Sequence, residues 1–198
     1  MSTQPDTRQR ILESARDLIY ARSYGEVGVA AICTGASVKK GSFYHFFPSK
    51  RELTLAVIDE FMLEFKARIL AEAFAESLPP MQRFQRMAEL SYRFQKEIAE
   101  ETGHTLGCPF GNIAIEMSTQ DEVLRQKIEA ILTQMEGLFR MTLMEAVAQG
   151  EVSEINIEAT ASAMVAYAEG VMLMAKTRND PEVIRVLMPA IAAIRVTR

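Results

Sequence analysis

Residues 27–53 read VGVAAICTGASVKKGSFYHFFPSKREL, with the punctuation of a helix, a tight turn and a second helix. Val29–Thr34 is short and apolar, Gly35-Ala36-Ser37 has turn-forming residues, and Lys39–Phe46 resumes helical spacing. Phe43 and Phe47 stand four apart, so both face inward onto Ile32 and the preceding helix. Lys40, Ser42, Tyr44 and His45 then point mainly outward, and Gly41 leaves that face bare where another surface would approach. An outward face of cations, hydroxyls and an imidazole, without a carboxylate, suits phosphate oxygens and base edges. Lys50, in the first turn of the next helix, adds a cation and backbone N–H groups aimed at a phosphate.

On either side the pattern stays helical. Upstream, Ile11, Ala15, Leu18 and Ile19 share a face opposite Arg10, Glu13 and Asp17, with Thr7 or Asp6 as N-cap and Tyr24-Gly25 as the stop. Downstream, Leu53, Val57, Phe61, Phe65 and Ile69 recur at strict four-residue steps, in a helix that runs to the Pro79-Pro80 break. Further helices are predicted over about 81–101, along Ile128, Ile131, Met135, Leu138 and Thr142 to an end near Gly150, and over 157–176 and 182–195. There is no alternating strand pattern, internal repeat or low-complexity tract. The expected fold is all-α with about nine helices. An N-terminal three-helix helix-turn-helix domain, residues 1–48, precedes a larger helical domain, residues 49–198, entered through a bridging helix over 49–75.

A chain of 198 residues suits one large domain or two small ones sharing a core, and buries enough surface to need no covalent staple. Its longest uncharged run, residues 102–115, is broken by three glycines and a proline, so no bilayer span is expected. The N-terminus lacks a signal-peptide pattern, and Cys33 and Cys108 form no disulfide framework; both features predict a cytoplasmic protein. The net charge of −4 is unevenly placed: residues 1–51 hold eight of the 22 Lys and Arg but only four of the 26 Asp and Glu. A basic head on an acidic body is the pattern of a chain whose head alone meets a polyanion. Enzyme chemistry finds no constellation. His45 and His104 are the only histidines, no nucleophile elbow or phosphate-cradling glycine loop is present, and His104 with Cys108 lacks a third metal ligand. Neither cofactor nor metal is expected.

KKGSFYHFFPSKREL resembles the recognition helix and the start of the fourth helix of the TetR family of bacterial transcriptional repressors, and the likeness extends over residues 7–60. The resemblance implies that Lys39, Lys40 and Ser42 face bases and that Gly41 permits close approach. It implies that Tyr44, His45 and Lys50 hold phosphates, helped by the helix N-termini at Thr7 and Gly28. Two positions depart from the pattern. Ser37 stands where the turn usually has Gly, and Gly28 stands where a capping Thr or Ser usually offers a hydroxyl.

For the remaining chain the resemblance implies a C-terminal domain that binds a small hydrophobic or electrophilic inducer and dimerises through its last two helices. Alanines at 159, 161, 163, 166 and 168 suit close helix approach in such a seam. Eleven of the twelve methionines follow residue 60, which fits adaptable pocket walls. The candidate walls are Met87, Tyr92, Phe94, Met117 and Met135, continued by Phe139, Met164, Tyr167 and Met172. Gly107-Cys108-Pro109-Phe110-Gly111-Asn112 matches an element of the branch that senses electrophiles and hypochlorous acid. There Cys108 would react and Asn112 would help line the site. A helix N-terminus at Cys108 and the cation of Lys176 are expected to favour the thiolate. Cys33 reads as packing. The expected partners are an operator duplex, an inducer and a second copy of the chain, with no membrane. The alternative from another class is an architectural DNA-binding protein that ignores small molecules.

Overall fold

The computed structural model describes residues 6–153 and 155–197, and every regular element among them is helical. These described residues form nine α-helices: α1 (Thr7–Ala21), α2 (Val29–Gly35), α3 (Lys40–Phe46), α4 (Lys50–Phe65), α5 (Pro80–Thr102), α6 (Pro109–Met117), α7 (Glu122–Ala148), α8 (Ile157–Arg178) and α9 (Glu182–Leu187). α4 runs on through a π-helical segment, Lys66–Leu70, into a last turn, Ala71–Ala73, and α9 runs on as a 3-10 segment, Met188–Ala193. No helix among the described residues is long and apolar enough to cross a membrane.

Two compact units are present. One comprises the chain up to Leu63 together with Asn112–Ile128; the other comprises Glu64–Gly111 and the chain from Glu129 onward. These units divide the chain differently from the expected segments 1–48 and 49–198, because most of α4 and an excursion far along the chain fold with the first three helices.

In the first unit, Ile11, Leu12, Ala15 and Ile19 of α1 are buried with Ile32 of α2, Phe43 of α3 and Leu53, Val57 and Ile58 of α4. Asp6 is the N-cap of α1, its Oδ1 accepting from the Gln9 N–H at 2.8 Å, so Thr7 is the first helical residue. α2 packs closely on α1: the Ser14 hydroxyl donates to the Ile32 carbonyl at 3.0 Å, and a Cβ on Gly35 would collide with that hydroxyl.

The π-helical segment has a readable cause. Steps of four residues overshoot an α-helical turn by about 40° each, so a strict four-residue row slides around the helix. Widening the turn at Lys66–Leu70 brings the row back, and Ile69 and Ala73 are buried. The predicted helix over 49–75 is thus present over 50–73, with a reset that its spacing demanded.

The second unit is built around α5, which starts with Pro80 in its first turn and stops at Gly103 in the left-handed conformation. Phe84, Met87, Ala88, Ser91 and Gln95 mark its buried face. Phe84 meets Phe139 of α7 edge-on at 5.2 Å, and Phe74 stacks on Phe139 at 6.0 Å. α8 is capped by Asn156, which accepts from the Ala159 N–H, and ends at Arg178, two residues beyond the predicted end at 176, with Asn179 as its C-cap. The continuous helix expected over 182–195 is corrected: α9 gives way to the 3-10 segment at Met188, where Pro189 has no N–H to continue the ladder. α6 escaped the periodicity reading because it is only nine residues long and follows a glycine-rich stretch.

Candidate functional site

α2, the turn and α3 present one face outward. The turn closes through the Ala36 N–H on the Ile32 carbonyl at 2.9 Å and the Val38 N–H on the Cys33 carbonyl at 2.9 Å. Ser37 occupies the left-handed region at φ 54°, the position where glycine carries no steric cost. Phe43 and Phe47 are buried and anchor α3, with the Arg8 guanidinium 5.2 Å from the Phe47 ring centre. Lys39, Lys40, Gly41, Tyr44 and His45 are exposed and Ser42 is half-buried. A Cβ on Gly41 or Gly28 would meet nothing within 4 Å, so both backbones are open to an approaching surface. Gly28 caps α2 without a side-chain bond, and the Thr7 hydroxyl accepts from Arg10 at 3.4 Å. Cys33 is buried in the packing of α2.

Lys50 is placed differently from its neighbours. Its ammonium donates to the Tyr24 carbonyl and lies 4.0 Å from the Tyr24 ring centre. Loss of hydration lowers its pKa, opposed by the nearby Glu116 carboxylate. Glu116, on α6, accepts from the Tyr24 N–H at 2.8 Å and the Gly25 N–H at 2.5 Å. Sequence reading missed Glu116, since nothing local marks a carboxylate whose partners lie about ninety residues away.

In the second unit, Met87, Phe139 and Met164 are core residues, and Phe94, Met135 and Tyr167 pack against the same cluster. Tyr92 and Met172 pack on a neighbouring cluster around Val171 and Ile184. The Tyr92 hydroxyl bonds the Glu182 carboxylate, and the Tyr167 hydroxyl donates to the Leu187 carbonyl at 2.7 Å. Asn112 and Met117 belong to the other compact unit.

The Cys108 element is held by a residue that sequence reading did not single out. Gln95 is fully buried; its amide donates to the Gly107 carbonyl at 2.9 Å and accepts from the Gly107 N–H at 3.0 Å. Gly107 has φ 74°, and a Cβ there would press on the Met172 carbonyl and the Lys176 stem, both 3.2 Å away. Cys108 directly precedes Pro109, the first residue of α6, and its sulfur accepts weakly from the Gly111 N–H at 3.5 Å. The expected thiolate is not favoured. Burial pushes the Cys108 thiol well above its ordinary pKa, and the Glu169 carboxylate beside it pushes the same way, outweighing the two backbone N–H groups at the helix start. Glu169 is itself raised by burial, while its bond with Cys108 acts to lower it. A Cβ on Gly111 would strike the Glu169 carboxylate, so the glycine makes room for it.

Residues 11–57 match the family model described as bacterial regulatory proteins, tetR family, and residues 80–191 match the tetracyclin repressor-like C-terminal domain. The transcriptional regulator AcuR of Cereibacter sphaeroides is 33% identical over 179 residues, covering 88% of this chain and 78% of that protein. The chain belongs to the TetR family. Like the other members it is a DNA-binding transcriptional regulator and not an enzyme. Its fold is similar to that of the regulatory protein TetR from Rhodobacter sphaeroides, with a TM-score of 0.82, 29% identity and coverage of 96% of this chain and 99% of that one. The likeness to the repressor NemR of Escherichia coli is narrower in sequence, 31% identity over 67 residues and 34% of each chain. The electrophile-sensing branch is therefore matched only weakly.

Proposed function

We propose that the protein is a homodimeric repressor that reads a palindromic operator with α3 and lets go of it when a small apolar inducer occupies the C-terminal part of each chain. The observation that carries this reading is the face of α3. Two buried phenylalanines fix the helix, and Lys39, Lys40, Gly41, Ser42, Tyr44 and His45 are turned away from the core without a carboxylate among them. Lys39, Lys40 and Ser42 read bases, Tyr44 and His45 hold phosphates, and the helix N-termini at Thr7 and Gly28 add backbone donors.

Dimerisation is supported by an exposed row on α8, Ser162, Ala166, Gly170, Leu173 and Met174, with Val186 exposed on α9. The inducer works by favouring one of two conformers that differ in DNA affinity. It is held reversibly, in keeping with a Cys108 thiol that burial and Glu169 keep protonated. Release of DNA by an electrophile from wild type, but not from Cys108→Ser, would replace reversible binding with covalent capture.

The test is selection of duplexes from a random pool with the full chain, followed by titration at several salt concentrations. The expected result is a two-fold symmetric site whose affinity falls steeply with salt, with Lys40→Ala and Tyr44→Phe weaker by about tenfold at unchanged melting temperature. No duplex enriched in low-salt buffer, or a nearly flat salt response, defeats the proposal.

A further inference from the structure

We infer that Lys50, Glu116 and Gly25 form a latch that sets the α1–α2 corner of the reading head, and that Lys50 acts there as a positioning residue rather than as a phosphate contact. The inference rests on the DNA-binding reading above and concerns contacts within the first unit. Three observations converge on Tyr24 and Gly25. The Glu116 carboxylate accepts from both of their backbone N–H groups. The Lys50 ammonium takes the Tyr24 carbonyl and covers the ring. Gly25 brings its backbone so near that a Cβ would stand 2.7 Å from Glu116 Oε1.

Charge-assisted bonds of this kind are the strong ones, and this set ties α4 and α6 to one corner of the chain. The corner leads in three residues to the N-cap of α2 at Gly28, through Val27, which is fully buried. α2 in turn seats α3, so fixing the corner fixes where the reading face lies. The same geometry disqualifies Lys50 as a phosphate holder. To reach a phosphate its ammonium would abandon a carbonyl and an aromatic ring, and the Glu116 carboxylate beside it repels a second anion. Arg51, paired with Asp121 at 3.7 Å, and Lys127, paired with Asp59 at 2.5 Å, are more exposed side-chain pairs and add little to the latch.

The experiment titrates the selected operator and an unrelated duplex with full-length wild type, Lys50→Met, Lys50→Arg, Glu116→Gln, the Lys50→Met/Glu116→Gln pair and Lys40→Met, across a range of KCl concentrations. Active fractions are fixed by stoichiometric titration, so partial misfolding does not pass for weak binding. Lys40→Met should lower the slope of log affinity against log salt by about one, as loss of a cation at the duplex requires. Lys50→Met should weaken the operator complex by about tenfold with an unchanged slope and unchanged affinity for the unrelated duplex. Lys50→Arg should recover most of the loss, and the double variant should be no weaker than the weaker single one. A slope lowered by about one in Lys50→Met, losses that multiply in the double variant, or full affinity in both single variants each overturn the latch. Wild type that binds no duplex overturns the DNA-binding reading and the latch with it.

Discussion

Cys108 and Glu169 show how one neighbour reverses what a residue's position promises. A thiol at a helix start, with the Lys176 cation expected close by in the fold, reads as an incipient thiolate, yet burial and an adjacent carboxylate raise its pKa. A group raised in the fold stabilises it fully below its unfolded value and ceases to do so as pH climbs through the folded value. For Cys108 that loss begins above about pH 8.5, where the unfolded thiol ionises. For Glu169 it begins above about pH 4.3, so at neutral pH the half-buried carboxylate is a burden on the fold. Glu169→Gln should therefore raise the melting temperature at pH 7, with the gain disappearing below about pH 4. The same variant should speed alkylation of Cys108 by iodoacetamide, followed site by site with mass spectrometry. In wild type that rate should lie at least about tenfold below that of a free thiol at pH 7.5. A wild-type rate equal to a free thiol's would contradict the raised pKa of the Cys108 thiol.

At the scale of elements, the helix–turn–helix was legible because it is local. Phe43 and Phe47 at four-residue spacing dictated which side of α3 is buried, and Gly35-Ala36-Ser37 marked the turn. Ser37 is the strained point, a non-glycine residue at φ 54°. Ser37→Gly should remove a steric cost of up to about 1 kcal/mol, partly offset by the freer unfolded chain. Chemical denaturation should show a small gain in stability with an unchanged slope, and a clear loss would mean that the Ser37 side chain contributes more than its backbone strain removes. The π-helical segment was written in the strict four-residue row from Leu53 to Ile69, although only the folded helix showed where the reset falls. The division of residues 182–193 into α and 3-10 parts was also present in sequence, at Pro189. What hid it was the apolar run around that proline, which reads as uninterrupted helix.

For the whole molecule, the exposed row on α8 yields the remaining prediction. Leu173 stays half uncovered and Met174 39% exposed, apolar side chains beside the small residues Ala166 and Gly170. Leu173→Glu should shift the protein from dimer to monomer in sedimentation equilibrium and cost most of the operator affinity. A monomeric wild type, or a variant that remains fully dimeric, counts against that seam. The amino-acid sequence by itself determined the all-helical class, which face of α3 is turned outward and the family of the chain, because these rest on periodicity, turn residues and a contiguous motif. Only the tertiary structure decided the roles of Glu116, Lys50, Gln95 and Glu169. Each acts on groups distant along the chain or through the solvent it loses on folding, and neither a partner some ninety residues away nor a local dielectric is encoded in the spacing of neighbours.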